Sequence, residues 1–308
     1  MKKVLITGAN GFVGTFLCAY FDRIGIPYRR AVRNEEKGVG SDTVAVGDID
    51  SQTDWSSALS DIDVVIHLAA RVHVMREDAD HPLDEFRMVN SEGTLNLARQ
   101  AAASGVRRLI YISTIKVNGE ETFDCPFRSD DDHAPADPYS ISKLEAEKGL
   151  VAISLETGME YVIIRPPLVY GRGAGGNFNR LVNLVGKGWY LPLKSIRNKR
   201  SLVGIENLCS LLSSCISHVD AGNKIFLVSD GHDVSTPELI KLLGTVSMRP
   251  ARLFSFPPWL LNCIGTMFGK GMELRRLTGN LQVDISETCS LLQWQPPVSL
   301  EKGLKDSV

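Results

Sequence analysis

One segment narrows what this chain can fold into more than any other: Lys3-Val4-Leu5-Ile6-Thr7, followed at once by Gly8-Ala9-Asn10-Gly11-Phe12-Val13-Gly14. A short apolar run closes on three glycines at every third position, and helical periodicity starts directly after them. Each glycine has a separate task. Gly8 allows a tight turn, Gly11 lets backbone approach a pyrophosphate, and Gly14 lets the helix pack closely on the strand. The helix N-terminus then offers free N–H groups and a partial positive charge to phosphate oxygens. A glycine turn that merely joins strand to helix is the plainer alternative, and the strand-turn-helix context argues against it.

The same rhythm continues through the first 170 residues. Strands are expected at 3–7, 28–32, 43–46, 63–68, 107–113 and 161–165, with helical stretches near 12–24, 52–60, 82–104 and 138–157. Pro82 suits a first helical turn and Gly105 a helix C-cap. Strands that are apolar throughout and alternate with helices predict an α/β fold, a doubly wound parallel sheet covered on both faces. After Arg165 the pattern breaks into Pro166-Pro167, a Gly-rich loop at 171–176, short helices and isolated strands such as 224–228. The expected division is therefore a sheet domain over 1–170 and a smaller C-terminal lobe over 171–308, with segments returning to the sheet.

Composition excludes several roles. The 308 residues carry 34 Lys and Arg against 36 Asp and Glu, with no long basic run to neutralise a phosphate backbone, so nucleic acid is not an expected partner. Six cysteines lie scattered at 18, 125, 209, 215, 263 and 289, without Cys-x-x-Cys or zinc spacing, so no metal is expected and the setting reads as reducing and cytoplasmic. The apolar run after Lys2-Lys3 is too short for a signal peptide. The stretch 256–268, flanked by Trp259 and Phe268, is too short to span a bilayer and reads as core or dimer surface.

Chemistry enters with Tyr139 and Lys143, four residues apart on a predicted helix and so on one face. An ammonium beside a phenol favours the ionised form, which would make Tyr139 a general acid/base. Alone, Tyr-x-x-x-Lys is a weak signal. Here Ser113-Thr114 stands at the end of the predicted fifth strand, 25 residues before Tyr139. Where a carboxylate for a ribose 2′-hydroxyl would stand, 19 residues after Gly14, the chain has Arg33, which could pair with a 2′-phosphate. NADP is thus expected, with NAD as the alternative.

With this spacing of glycines, the chain resembles the extended short-chain dehydrogenases/reductases, the sugar-nucleotide epimerase/dehydratase family, over essentially its whole length. The resemblance implies a Rossmann-type sheet domain and a smaller C-terminal substrate-binding lobe. It places Gly8, Asn10, Gly11, Phe12, Val13 and Gly14 at the cofactor, with Asp48 and Ile49 at the adenine, Leu68, Ala69 and Ala70 of His67-Leu68-Ala69-Ala70 along its phosphates and ribose, and Asn90 nearby. Ser113, Pro166, Tyr139 and Lys143 complete the cofactor set. Thr114 takes the role of hydrogen-bonding the reacting sugar oxygen, so the catalytic set is Thr114, Tyr139 and Lys143. Asn177 and Arg200 resemble positions that hold the nucleotide diphosphate, with Arg275 and Arg276 as further candidates.

Dehydratases of the family have an Asp-Glu pair right after the Thr. This chain has Ile115-Lys116, which argues against 4,6-dehydration. The expected activity is hydride transfer at sugar C4 of a UDP-linked sugar, with Arg33 favouring reduction of a UDP-4-keto-6-deoxy-N-acetylhexosamine for surface polysaccharide. A UDP-glucose or UDP-N-acetylglucosamine 4-epimerase is a near-equal alternative, and a non-catalytic NADP-binding sensor a remote one. The family also implies a homodimer.

Overall fold

The computed structural model describes residues 3–34, 42–72, 81–269 and 271–307, without the side chains of Asn177, Asn262, Met272 and Glu273. Its strands are β1 (Lys3–Thr7), β2 (Tyr28–Val32), β3 (Thr43–Ala45), β4 (Ile62–His67), β5 (Arg108–Ile112), β6 (Glu160–Arg165), β7 (Leu168–Tyr170), β8 (Tyr190–Leu191), β9 (Leu202–Gly204), β10 (Lys224–Leu227) and β11 (Arg252–Leu253). The helices in the first part are α1 (Phe12–Ile24), α2 (Ser56–Leu59), α3 (Pro82–Arg87), α4 (Thr94–Ala103) and α5 (Pro138–Thr157). They are followed by α6 (Gly176–Gly186), α7 (Ile205–Ser217), α8 (Thr236–Val246), α9 (Pro258–Met267), α10 (Gly271–Thr278), α11 (Ser286–Leu292) and α12 (Leu300–Lys305).

Seven strands form one sheet in the order β10-β6-β5-β4-β1-β2-β3, every pair parallel. Alternate residues of each strand enter different cores, which is why the strands are apolar throughout. Val4 and Ile6 of β1 pack with Leu17 and Phe21 of α1 and Leu208 and Leu212 of α7, whereas Leu5 packs with Leu97 of α4 and Leu150 of α5. The strand order reverses between β1 and β4. A crevice outside the carboxyl ends of the strands opens at such a reversal.

Three expectations need correction. The stretch 52–60 yields only the four-residue α2, because Asp50 and Asp54 accept the backbone N–H groups of Gln52 and Ser56, and local turns win over helix. The helix expected over 82–104 is α3, then a π-helical turn at Met88–Gly93, then α4. The strand near 224–228 is not isolated: β10 pairs with β6 and completes the edge of the main sheet.

The later residues build a second core. Tyr170, Phe178, Leu202, Ile240, Leu243 and Leu304 pack together beneath two short ladders, β7–β9 and β8–β11. A buried knot ties this lobe down: the Tyr170 hydroxyl donates to Asp230 at 2.6 Å, and the other Asp230 oxygen takes the Gly204 N–H and Asn207 Nδ2. Among the described residues no helix is long and apolar enough to cross a membrane, and no cluster of His, Cys, Asp and Glu could hold a metal.

Candidate active site

The glycine turn lies at the carboxyl end of β1, beside the sheet reversal. Gly8 has φ +63°, and a Cβ there would fall 2.8 Å from the Ala69 nitrogen; at Gly14 one would fall 2.2 Å from the Gly8 carbonyl oxygen. The Gly11 N–H donates to that same oxygen at 2.9 Å and caps α1 without any side chain. The first turn of α1 holds no acidic residue, and the N–H groups of Phe12, Val13 and Gly14 have no carbonyl one turn earlier within the helix. Bare backbone donors, a helix dipole and a side-chain-free mouth fit a dinucleotide pyrophosphate.

Arg33 follows β2 and Asp48 follows β3, and the two form an ion pair of 2.8 Å with both side chains mostly exposed. The guanidinium expected to await a 2′-phosphate thus already faces a carboxylate. Ile49 packs against Gly93, where an added Cβ would meet its Cγ2 at 2.7 Å.

Beneath Leu68, Ala69 and Ala70 lies a hydroxyl–imidazole chain. The Thr94 hydroxyl donates to the Asn90 carbonyl at 2.8 Å, so it can only accept from His67 Nε2 at 2.9 Å. His67 Nδ1 is then an acceptor, taking the Thr7 hydroxyl proton at 2.7 Å, while Thr7 accepts the N–H groups of Leu68 and Ala69. Burial, with the Lys143 charge adding, pushes the His67 pKa down to about 3, in keeping with a neutral ring. The Asn90 amide grips both the N–H and the C=O of Arg71 and donates to Ser142, which ties this strand end to α5.

Helix α5 begins with a capping box in which the Asp137 carboxylate takes the Ser140 N–H, and Pro138 occupies the first turn. That cap fixes Tyr139 and Lys143 on the first two turns. Tyr139 is half-buried with its ring edge-on to Phe86 at 6.1 Å, and burial together with the Asp137 carboxylate pushes its pKa up to about 12. Lys143 is 2% exposed, and its ammonium rests 4.1 Å over the Tyr111 ring. Burial pulls its pKa down to about 7, against the pull of Glu147. The expected lowering of the Tyr139 pKa by the ammonium is not found: the ammonium lies over Tyr111, and burial sets the direction at Tyr139.

Thr114 is buried in extended backbone at the start of a 3-10 turn, its hydroxyl accepting the Lys116 N–H. The Lys116 ammonium pairs with Asp137, two residues before Tyr139, and so bridges the Thr114 turn to the head of α5. Ser113 Oγ is buried without a hydrogen-bond partner, a free polar atom beside Thr114 that suits a cofactor contact. Pro166 adjoins it, its carbonyl taking the Ile115 N–H at 3.0 Å.

Further out, a charge chain runs from Lys116 to Glu120 at 3.0 Å and from Glu120 to Arg276 at 3.5 Å. Arg200 is half-buried and donates to the Gly279 carbonyl at 3.1 Å; burial lowers its pKa, opposed by Glu121 and aided by Arg276. Arg276 thus joins Arg200, while Arg275 is exposed. The Asn177 side chain lies outside the described residues. Sequence reasoning did not assign His67, Thr7, Thr94 or Asp137 to the site. Asp137-Pro138 before a helix is a readable start signal; the His67 chain joins residues far apart and has no local one.

Comparison with known proteins shows what the chain is similar to. A model described as the NAD dependent epimerase/dehydratase family matches residues 4–229. A UDP-glucose 4-epimerase of Vibrio cholerae is 48% identical over 312 residues, covering 99% of this chain and 94% of its own. A GDP-6-deoxy-D-mannose reductase of Pseudomonas aeruginosa is 25% identical, covering 99% and 95%. The solved UDP-N-acetylglucosamine 4-epimerase of Bacillus cereus superposes with a TM-score of 0.79 at 18% identity, over 99% of this chain and 97% of that one, a likeness of fold.

Proposed function

The chain belongs to the NAD-dependent epimerase/dehydratase family of NAD(P)-dependent enzymes, and from that premise we propose that it is a 4-epimerase of UDP-hexoses. The observation that carries the reading is the 48% identity along the whole chain to a UDP-glucose 4-epimerase, supported by the Lys116–Asp137 pair that holds the Thr114 turn against the head of the helix bearing Tyr139 and Lys143. Two points rank epimerisation above the reduction expected from the sequence. The 48% identical relative is an epimerase, and the Arg33 guanidinium is engaged by Asp48, whose carboxylate would oppose a 2′-phosphate.

The nicotinamide cofactor, when bound, supplies reversible hydride transfer at sugar C4. The glycine turn and the first N–H groups of α1 would hold its pyrophosphate, and the unpartnered Ser113 hydroxyl and Lys143 would hold its nicotinamide end. Tyr139, as the phenolate, would take the proton from the C4 hydroxyl and return it to the same oxygen after the keto sugar has turned over, which requires the bound complex to lower a phenol pKa that burial and the Asp137 carboxylate hold at about 12. Thr114 donates a hydrogen bond to that oxygen throughout. Arg200 and Arg276 clamp the diphosphate.

Incubation of the purified protein with UDP-glucose and no added cofactor tests this reading; UDP-galactose should form. A protein that forms none, yet consumes NADPH with a UDP-4-keto sugar, would reverse the order. The second reading, a 4-ketoreductase using NADP, rests on Arg33 standing where no carboxylate awaits a ribose hydroxyl. Arg33→Ala discriminates: the ratio of NADPH to NADH affinity falls about tenfold if Arg33 binds a 2′-phosphate and stays level if it does not.

A further inference from the structure

We propose that one face of the late lobe is a peripheral docking surface for an anionic lipid bilayer. Helix α9 reads PWLLNCIGTM, and among its described side chains only Leu261 and Gly265 are buried. Gly265 is the seat of α10, since an added Cβ would lie 2.0 Å from Leu274 Cδ1. The helix therefore spends one narrow stripe on the protein and turns the rest outward. Trp259, Met267 and Phe268 are 68%, 83% and 75% exposed, so the stretch that read as core or dimer surface is not core.

The β8–β11 ladder, joined to α9 by residues 254–257, carries further exposed aromatics at Trp189 and Tyr190. Tyr190 pairs with Arg252 and Leu191 with Leu253, and the Phe254 N–H continues to the Leu191 carbonyl at 3.0 Å. Cations alternate with the aromatics. Lys187 lies 5.1 Å over the Trp189 ring and Arg252 lies 5.3 Å over Tyr190. Arg249 follows the exposed Met248 and donates to the Gly186 carbonyl at 2.6 Å. None of these three cations has a carboxylate partner among the described residues.

Sign is what selects the occupant. The chain as a whole is slightly acidic, yet it has no Asp or Glu between Glu160 and Glu206, nor between Glu238 and Glu273. The exposed Trp189 and Tyr190 thus each carry a cation, Lys187 and Arg252, drawn from stretches of sequence that hold no acid. Trp and Tyr prefer the headgroup level of a bilayer, and Lys and Arg gain from an anionic surface there. A second copy docked face to face would set these cations against one another. With no helix long and apolar enough to cross a membrane, contact is at the interface.

Flotation of the full chain with vesicles tests the proposal, using phosphatidylcholine alone or mixed equally with phosphatidylglycerol. The protein should float with the mixed vesicles, release as salt rises, and stay behind with phosphatidylcholine. Trp259→Ser with Phe268→Ser, and separately Arg249→Glu with Arg252→Glu, should each weaken binding by more than about tenfold at unchanged melting temperature. Failure of the unaltered protein to float at low salt overturns the proposal. So does equal flotation of the Arg249→Glu, Arg252→Glu protein, or a dimer that the serine substitutions dissolve without any vesicle binding. None of these readouts depends on which sugar reaction the enzyme performs.

Discussion

Two glycine-rich turns of similar sequence are held in opposite ways. At Gly8 and Gly14 the neighbours are backbone atoms, 2.8 and 2.2 Å from where a Cβ would be. In the loop 171–176, Gly171 is packed against the Ile205 side chain, but beyond it Gly173, Gly175 and Gly176 would meet nothing within 4 Å, and there the demand for glycine comes from φ of +80° at Gly173 and +66° at Gly176. The first turn is a surface made of main chain, where any side chain displaces the ligand or the helix. The second is a bend that a different sequence could make. Chemistry common to a family sits at the first kind of turn, and the second kind leaves room for changing the substrate.

The largest effect should come from the side of the molecule that holds the first turn. Tyr139→Phe removes the proton carrier and should lower kcat by about 10²–10⁴-fold with cofactor affinity and melting temperature unchanged, read by steady-state rates and calorimetry. A rate near that of the unaltered protein would remove Tyr139 from the mechanism. Gly14→Ala forces α1 away from the Gly8 carbonyl and should cost about 3 kcal/mol of stability along with cofactor binding, measured by denaturant unfolding and titration.

Lys143→Met comes next and has a definite sign. The Lys143 pKa falls from its ordinary 10.5 to about 7, so between these values the unfolded chain holds more protons than the folded one. The penalty for burying the ammonium is complete below pH 7 and relieved as pH rises toward 10.5. The variant should be more stable than the parent by about 2 kcal/mol at pH 7, and the gap should close toward pH 10. A gap that does not change with pH would show that Lys143 is solvated. The smallest effect belongs to the second turn: Gly175→Ala, at φ −84°, should change stability by less than about 0.5 kcal/mol.

The same contrast explains what could be read from the sequence. The glycine turn and the Tyr139–Lys143 pair were legible because neighbours in sequence carry them, and the parallel sheet because each strand is apolar on both faces. The chain Thr7–His67–Thr94 was not, since 60 and 27 residues separate its members. The short α2 was overread because the Asp50 and Asp54 carboxylates compete for backbone donors, which periodicity does not register. For Trp259 and Phe268 the expectation of core or dimer surface loses only its first half, since both are exposed. Apolar sequence says that a side chain avoids water, and leaves open whether protein or some other surface covers it. The upward pKa of Tyr139 depends on where Lys143 rests, a matter of rotamer and packing.

The π-helical turn at Met88–Gly93 holds one residue more than an α-helical turn would, and Asn90 lies within it. A helix of that kind can be returned to regular winding by deleting a single residue. Such a deletion would leave α3 and α4 near their present directions, since the extra residue is what the wide turn absorbs, but it would re-aim the side chains within the turn and carry the Asn90 amide off the Arg71 backbone. The helix would be sounder and the pocket would lose its floor. A one-residue gap in a descendant sequence at this place is therefore the cheapest genetic route to a stable protein that no longer turns over, and deep sequencing of functional survivors should find deletions there depleted relative to α4.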